Sequence, residues 1–199
     1  DMGTTSATDL SGNANTGWLL NGVKKVPGIN GQGLKFDGIN DYVSVGAPPN
    51  LGVTQGTLGV WVNKGSYDSS QGHNIVSLRE PYTTGRIELK LNEWSGISNV
   101  LFSLGSTVDG DTGYDLPSSQ TWYHLVLTWS NESWWLYSNG QQVATGSYSS
   151  TGWTTIYPAY IGAWRGDSPS NYFTGTIDEV RIYNRVLTPT EITEQYTAG

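Results

Sequence analysis

The chain has 199 residues, 17 acidic against 10 basic side chains, a formal charge of -7, and no cysteine. That acidity repels phosphate backbones and anionic lipid, which makes nucleic acid an unfavourable partner, and the missing cysteines exclude disulfides and thiolate metal sites. No apolar run reaches the roughly 18 residues a bilayer span needs, so no membrane insertion is expected.

Short segments rich in Val, Ile, Leu, Tyr and Trp, punctuated by Gly and Asn, predict strands from one end to the other. In chain order they cover Gly33 to Asp37, Asp41 to Val45, Thr57 to Val62, Asn74 to Arg79, Arg86 to Leu91 and Val100 to Leu104. A β-meander follows from Trp122 to Gly146, with turns at Asn131 to Ser133 and at Asn139-Gly140. Ala159 to Gly162 and Gly175 to Asn184 complete the set. Asn21-Gly22, Asn30-Gly31 and Asn139-Gly140 are candidate hairpin turns. About a dozen strands with turns every eight to twelve residues point to two packed antiparallel sheets in one domain over residues 1–199.

Near the end, Thr188-Pro189-Thr190-Glu191 has the form of a capping box with proline at the first helical position, so a short helix is expected through about Tyr196. Just before it, alternation in the strand places Val180 and Ile182 on one face and puts Asp178 on their apolar parity. A carboxylate buried there requires a cation or several backbone N–H donors.

The segments GLKFDGINDYVSV (Gly33 to Val45), TWYHLVLTWSNESWWLYSNGQQVATG (Thr121 to Gly146) and YIGAWRGDSPSNYFTGTIDEVRIYNRVLTPTEI (Tyr160 to Ile192) together resemble the laminin G-like, concanavalin A-like jelly-roll family. Asp9 to Gly17 is similar to that family's opening turn. The resemblance implies two curved sheets of six or seven strands, an extracellular setting as part of a larger enzyme or surface protein, and binding to carbohydrate or protein. It also implies one structural calcium.

For that calcium the candidate ligands are Asp37, Gly38, Asn40, Asp41 and Asp178, since calcium takes several carboxylate, carbonyl and amide oxygens. The alternative is that Asp37 and Asp41 make Asx-turn hydrogen bonds while Asp178 accepts from backbone N–H groups. A second acidic stretch, Val108 to Asp115, lacks the twelfth-position Glu of an EF-hand and is expected to be a solvated loop.

Catalysis has little to stand on. Retaining glucanases of related fold place paired carboxylates about 5 Å apart, whereas Glu88 is alone in Arg86 to Lys90. His73 and His124 stand apart from any Ser or Cys nucleophile.

Nine Trp and twelve Tyr exceed the needs of a core of this size, and aromatic faces suit the apolar surface of pyranose rings. Trp61, Trp122, Trp129 and one of Trp134 or Trp135 are expected to pack within the sheets. Trp94, Trp153, Trp164 and Tyr172 lie in Gly/Ser/Asn-rich connections, where binding groups reside on rigid sandwiches. Trp164, Arg165, Asp167, Asn171 and Tyr172 combine a stacking ring, a guanidinium and hydroxyl acceptors. Arg79, Tyr82 and Arg86 are expected to border the same groove. The expectation is a monomeric, non-catalytic, secreted or cell-surface bacterial module that binds polysaccharide. A protein-binding adhesin and a jelly-roll glycosidase or lyase are the alternatives.

Overall fold

A computed structural model describes residues 6–46, 54–65, 72–79, 86–94, 97–105, 110–117, 120–149, 158–165 and 168–199. In chain order the strands are β1 (Ser6–Ala7), β2 (Gly17–Leu20), β3 (Lys24–Pro27), β4 (Gln32–Asp37), β5 (Tyr42–Val45), β6 (Gln55–Lys64) and β7 (Gly72–Arg79). They continue with β8 (Arg86–Trp94), β9 (Ile97–Gly105), β10 (Gly110–Asp115), β11 (Trp122–Ser130), β12 (Ser133–Ser138), β13 (Gln141–Ser147), β14 (Ala159–Ile161) and β15 (Thr174–Tyr183). One helix, α1 (Pro189–Ala198), follows.

Antiparallel pairing sorts the strands into an eight-stranded sheet, ordered β1-β2-β5-β14-β7-β8-β9-β10, and a seven-stranded sheet, ordered β13-β12-β11-β6-β15-β4-β3. This is the expected all-β, two-sheet sandwich, with one sheet a strand wider than the resemblance implied. The additional strands are short or polar. Lys24–Pro27 exposes both lysines, and Gly110–Asp115 is a Gly/Asp-rich strand at the sheet edge. The latter stretch therefore corrects the expectation of a loop, because antiparallel pairing with β9 overrides its poor strand propensity.

Alternation fills the space between the sheets. Leu58, Val60 and Val62 of β6 and Leu125, Leu127 and Trp129 of β11 point inward, meeting Leu89, Leu91 and Phe102 from the opposite sheet. Trp129, Phe36, Phe102 and Phe173 are among the largest fully buried side chains, and Phe36 meets Phe173 edge to face at 6.2 Å. Each such side chain contributes about 1.5–3 kcal/mol by leaving water.

The outward parity of β6 and β11 is also buried, because α1 lies across it. Ile192 and Leu187 pack on Val126 and Tyr137, and Tyr196 stacks on Trp61 with centroids 5.6 Å apart. The helix starts as its sequence requires. Thr188 Oγ1 accepts from the Glu191 N–H at 3.3 Å, and the Thr188 N–H donates to Glu191 Oε2 at 2.8 Å.

Two turn assignments separate. Asn139 and Gly140 both have positive φ, 51° and 78°, and join β12 to β13 as a tight hairpin. Asn21-Gly22 instead carries the chain from β2 in one sheet to β3 in the other, so it is a corner and not a hairpin.

The parity expected for Asp178 also needs correction. Ile177 pairs with Val62 and faces the core, whereas Asp178 pairs with Trp61 on the outward side. A one-residue bulge between Asp178 and Arg181, with Glu179 at φ 49°, shifts the alternation. Sequence alternation counted through the bulge assigns Asp178 to the wrong face.

Candidate functional site

One face of the eight-stranded sheet is turned away from the core. Across it, direct strand partners form a row of Ser6, Trp18, Ser44, Tyr160, Ser77, Glu88 and Ser103, one residue from each of β1, β2, β5, β14, β7, β8 and β9. Strands lie about 4.8 Å apart, so the row covers about 19 Å between Trp18 and Glu88. Trp18 is 59% exposed, unusual for an indole on a sheet face. Tyr42 shares this face, its ring 4.8 Å from that of Tyr160.

The connection after β14 folds back over the row. Gly162 turns it with φ 81°, and a Cβ there would strike the Phe36 ring. The Gly162 N–H donates to Ile75 O at 2.9 Å, Trp164 and Ser170 bridge at 2.7 and 3.3 Å, and the Asn74 N–H donates to Asn171 O at 3.0 Å. These bonds fix the loop against β7.

Arg165 is held by its backbone and its head group. Its N–H donates to Ser77 Oγ at 3.2 Å, its Nη1 donates to Arg79 O, and its guanidinium carbon lies 5.5 Å from the Tyr160 ring centroid. Arg79 in turn places its guanidinium over Trp164, 4.5 Å from the centroid. The Tyr172 hydroxyl donates to Pro169 O at 2.8 Å, and its carbonyl lies 2.8 Å from His73 Nδ1, which therefore carries the proton.

Glu88 lies beneath this layer at 1% exposure. Ser77 Oγ donates to its Oε1 at 3.0 Å, while Arg86 Nε and Lys90 Nζ stand 3.9 and 4.0 Å from its Oε2. A carboxylate buried among cations avoids the cost of isolation and fixes their positions. Burial, then the neighbouring phenols of Tyr160 and Tyr172, pushes the Tyr42 hydroxyl up. Burial, then Tyr160, does the same to Tyr172. Both stay neutral donors and acceptors near neutral pH.

Six of the ten candidate ligand-binding residues therefore lie together. Trp164, Arg165, Arg79, Arg86, Asn171 and Tyr172 are all set on or beside β7 and β8, although Asn171 takes part through its backbone, at φ 49°. Trp94 is the exception. It ends strand β8 instead of lying in a loop, eight residues from Arg86, or about 26 Å along the strand. Tyr82, Trp153 and Asp167 lie outside the described residues. Tyr42, Tyr160, Ser77 and Trp18 were missed, because they join the face only through strand pairing that a single sequence does not display.

The five candidate calcium ligands fall in two places. Thr174 pairs with Asp37 and Ile177 with Leu34, which leaves Asp178 about four residues, or 13 Å, from Asp37 along β4. Asp178 is clasped by backbone. Ile29 and Asn30 donate to its Oδ2 at 2.9 and 3.2 Å, and Glu179 donates to its Oδ1 at 2.8 Å. Gly28 is needed beneath it, since a Cβ there would collide with the carboxylate.

At the other end, Asp37 Oδ1 accepts from the Ile39 and Asn40 N–H groups at 2.8 and 3.4 Å, an Asx turn that Gly38 completes at φ 78°. Asn40 O accepts from Asn21 Nδ2. Asp41, 3% exposed, uses Oδ2 to accept from the Asp37 N–H at 3.1 Å, while its Oδ1 is buried without a hydrogen-bond partner. Burial pushes the Asp41 carboxyl up and the Asp37 charge adds to this, against the lowering effect of that N–H. The five residues do not fit one shell. Among the described residues no group of three or more His, Cys, Asp or Glu converges on a metal position, and Asp41 supplies the single orphaned oxygen of the set.

The profile of the Concanavalin A-like lectin/glucanases superfamily matches residues 37–193. Domain 4 of AbnA, a GH43 extracellular arabinanase from Geobacillus stearothermophilus solved with arabinotriose, superposes with a TM-score of 0.72 at 20% identity, over 94% of this chain and 91% of that one. The binding domain of botulinum neurotoxin DC, solved in complex with SialylT, superposes with a TM-score of 0.74 at 12% identity over 96% of this chain. The receptor-binding domain of the C/D mosaic serotype does so at 0.76 and 14% over the same share. In both toxin domains the match covers 48% of the partner, about half its length. No curated protein matches the chain. With the profile covering most of its length and the two-sheet sandwich in place, the chain belongs to the concanavalin A-like lectin/glucanase superfamily, in the laminin G-like form its sequence resembles.

Proposed function

We propose that this protein is a non-catalytic carbohydrate-binding module, one unit of a larger extracellular protein, and that its ligand lies along the outer row of the eight-stranded sheet. The observation that carries this reading is the row itself. Exposed Trp18, then Ser44, Tyr160 and the Arg79–Trp164–Arg165 layer that covers buried Ser77 offer ring faces and hydrogen-bonding partners across neighbouring strands about 4.8 Å apart, a span that suits a short run of sugar units. Two of the structural relatives were solved with saccharides, which supports the class of ligand.

Magnitudes suit such a role. About 100 Å² of sugar covered by aromatic faces contributes about 2.5 kcal/mol, and a charge-assisted hydrogen bond adds about 1.5–3 kcal/mol. Association entropy offsets several kcal/mol of this, which leaves weak binding per site that a repeating polymer strengthens by avidity.

Calcium belongs to this proposal only at the Asp37–Asp41 turn, where Asp41 Oδ1 is buried and unbonded. There the ion would neutralise two neighbouring carboxylates.

A polysaccharide panel in affinity gels, run with Trp18→Ala and Trp164→Ala, tests the module. Retardation by at least one polysaccharide, weakened in both variants, is expected. Retardation that neither variant changes would place the ligand elsewhere.

A further inference from the structure

We infer that this face receives the end of a glycan chain, a terminus or the tip of a side branch, in a subsite formed by Trp18, Tyr42, Ser44 and Tyr160 and closed on its β7 side; this rests on the carbohydrate-binding reading above. The row of direct strand partners divides at the step from β14 to β7. Trp18 is 59% exposed, and Ser44 and Tyr160 are half-buried. Ser77, Glu88 and Ser103, the next three in the row, are 0%, 1% and 0% exposed. A sugar laid along the row over β2, β5 and β14 therefore finds no open sheet surface to continue onto over β7, β8 and β9.

Arg165 closes the row at that step. Its N–H donates to Ser77 Oγ at 3.2 Å, its Nη1 donates to Arg79 O, and its guanidinium carbon lies 5.5 Å from the Tyr160 ring centroid. The side chain is thus tied down on both sides of the boundary between half-buried Tyr160 and buried Ser77. Behind it stands Trp164 beneath the Arg79 guanidinium, and the bond from the Asn74 N–H to Asn171 O holds the returning chain against β7.

The open side offers what a sugar needs. Tyr42 lies two residues before Ser44 on β5, so it shares the outer face, and its ring is 4.8 Å from that of Tyr160. Among the described residues, the hydroxyls of Tyr42, Ser44 and Tyr160 have no hydrogen-bond partner, and none of these oxygens is closed to water. Each can donate and accept. Trp18 adds an exposed indole two strands from Tyr160, or about 10 Å away, which is room for a short chain end. A terminal sugar also carries a free hydroxyl where an internal unit carries its next linkage. A blind end lined with hydroxyls pairs with that extra group, whereas an internal unit would have to carry its neighbour through Arg165. A site built to hydrogen-bond a hydroxyl discriminates strongly against a ligand lacking it.

The test presents arabinan, xylan and mixed-linkage glucan intact and after partial acid hydrolysis, which multiplies chain ends at constant mass. Titration calorimetry counts binding sites per gram of polymer and measures affinity for the derived oligosaccharides of one to six units. Wild type is compared with Trp18→Ala and Tyr160→Phe, and melting temperatures report folding. For at least one polymer, sites per gram should rise in proportion to chain ends, and oligosaccharide affinity should stop rising at about three units, the length the open part of the row accommodates. Affinity should fall at least tenfold in Trp18→Ala and severalfold in Tyr160→Phe. Sites per gram unchanged by hydrolysis, or affinity still climbing at six units as for a chain lying parallel to the strands, overturns chain-end recognition and leaves the module intact. End-dependent binding undiminished in folded Trp18→Ala overturns the assignment to these residues. Binding to no polymer and no oligosaccharide overturns both readings.

Discussion

The Arg79 guanidinium lies over the Trp164 indole at 4.5 Å from its centroid, so one face of the ring is occupied by protein and is closed to a stacking ligand. The contact fixes the orientation of the Trp164 ring.

Trp164→Ala should weaken polysaccharide binding about tenfold, the loss of one ring face covering about 50 Å² of sugar. The lost cation–π contact should lower stability by only about 0.5–1 kcal/mol. Titration calorimetry alongside thermal melts separates the two, and a large drop in melting temperature with unchanged affinity would make Trp164 a structural residue.

His124 predicts a pH dependence of folding. It is 3% exposed between Trp61 and the helix residue Tyr196. Burial, followed by the positive charge of Arg181, holds its imidazole down to about 4 from an ordinary 6.5. Between those values the unfolded chain binds a proton that the folded chain refuses. Stability is therefore complete above pH 6.5 and lost as pH falls towards 4, by about 2 kcal/mol at pH 5. Urea midpoints at pH 7 and 5 should differ in wild type and converge in His124→Phe; the same difference in both proteins would assign the effect to other groups.

The Asp178 clasp should be one of the costlier polar contacts to remove. Asp178→Ala leaves the N–H groups of Ile29 and Asn30 without their acceptor, for a loss of about 3 kcal/mol. Asp178→Asn, which keeps one acceptor oxygen, should lose about 1 kcal/mol. Chemical denaturation measures both, and an alanine variant as stable as wild type would show that the clasp holds nothing.

If calcium binds at the Asp37–Asp41 turn, it stabilises the folded form by mass action. Added calcium should raise the melting temperature and chelator should lower it. Both responses should disappear in Asp41→Asn and persist in Asp178→Asn, since Asp178 lies at the other end of β4. Melts indifferent to calcium and chelator would leave Asp41 a strained acid without an ion.

Most strands were legible because one buried face per strand imposes a period of two, as in Tyr123, Leu125, Leu127 and Trp129. The capping box at Thr188 and Glu191 and the Asn139-Gly140 hairpin were legible because their chemistry is local. Asp178 was misplaced because Glu179 inserts a residue into the pairing, and nothing in TIDEVRIY marks a bulge. The stretch from Trp164 to Tyr172 was singled out from its side chains alone. The row from Trp18 to Glu88 was not, since it depends on which residues five strands bring opposite one another, and β14 lies between β5 and β7 although it is more than 80 residues later in the chain than β7.

Helix α1 and the Asp178 clasp both belong to the outside of the seven-stranded sheet, while the polar row lies on the outside of the other, beyond an apolar layer about 10 Å thick. Substitutions that far apart, sharing no partners, combine additively. Ligand preference can therefore drift across descendants of this scaffold through changes on one surface, with folding insurance accumulated separately on the reverse.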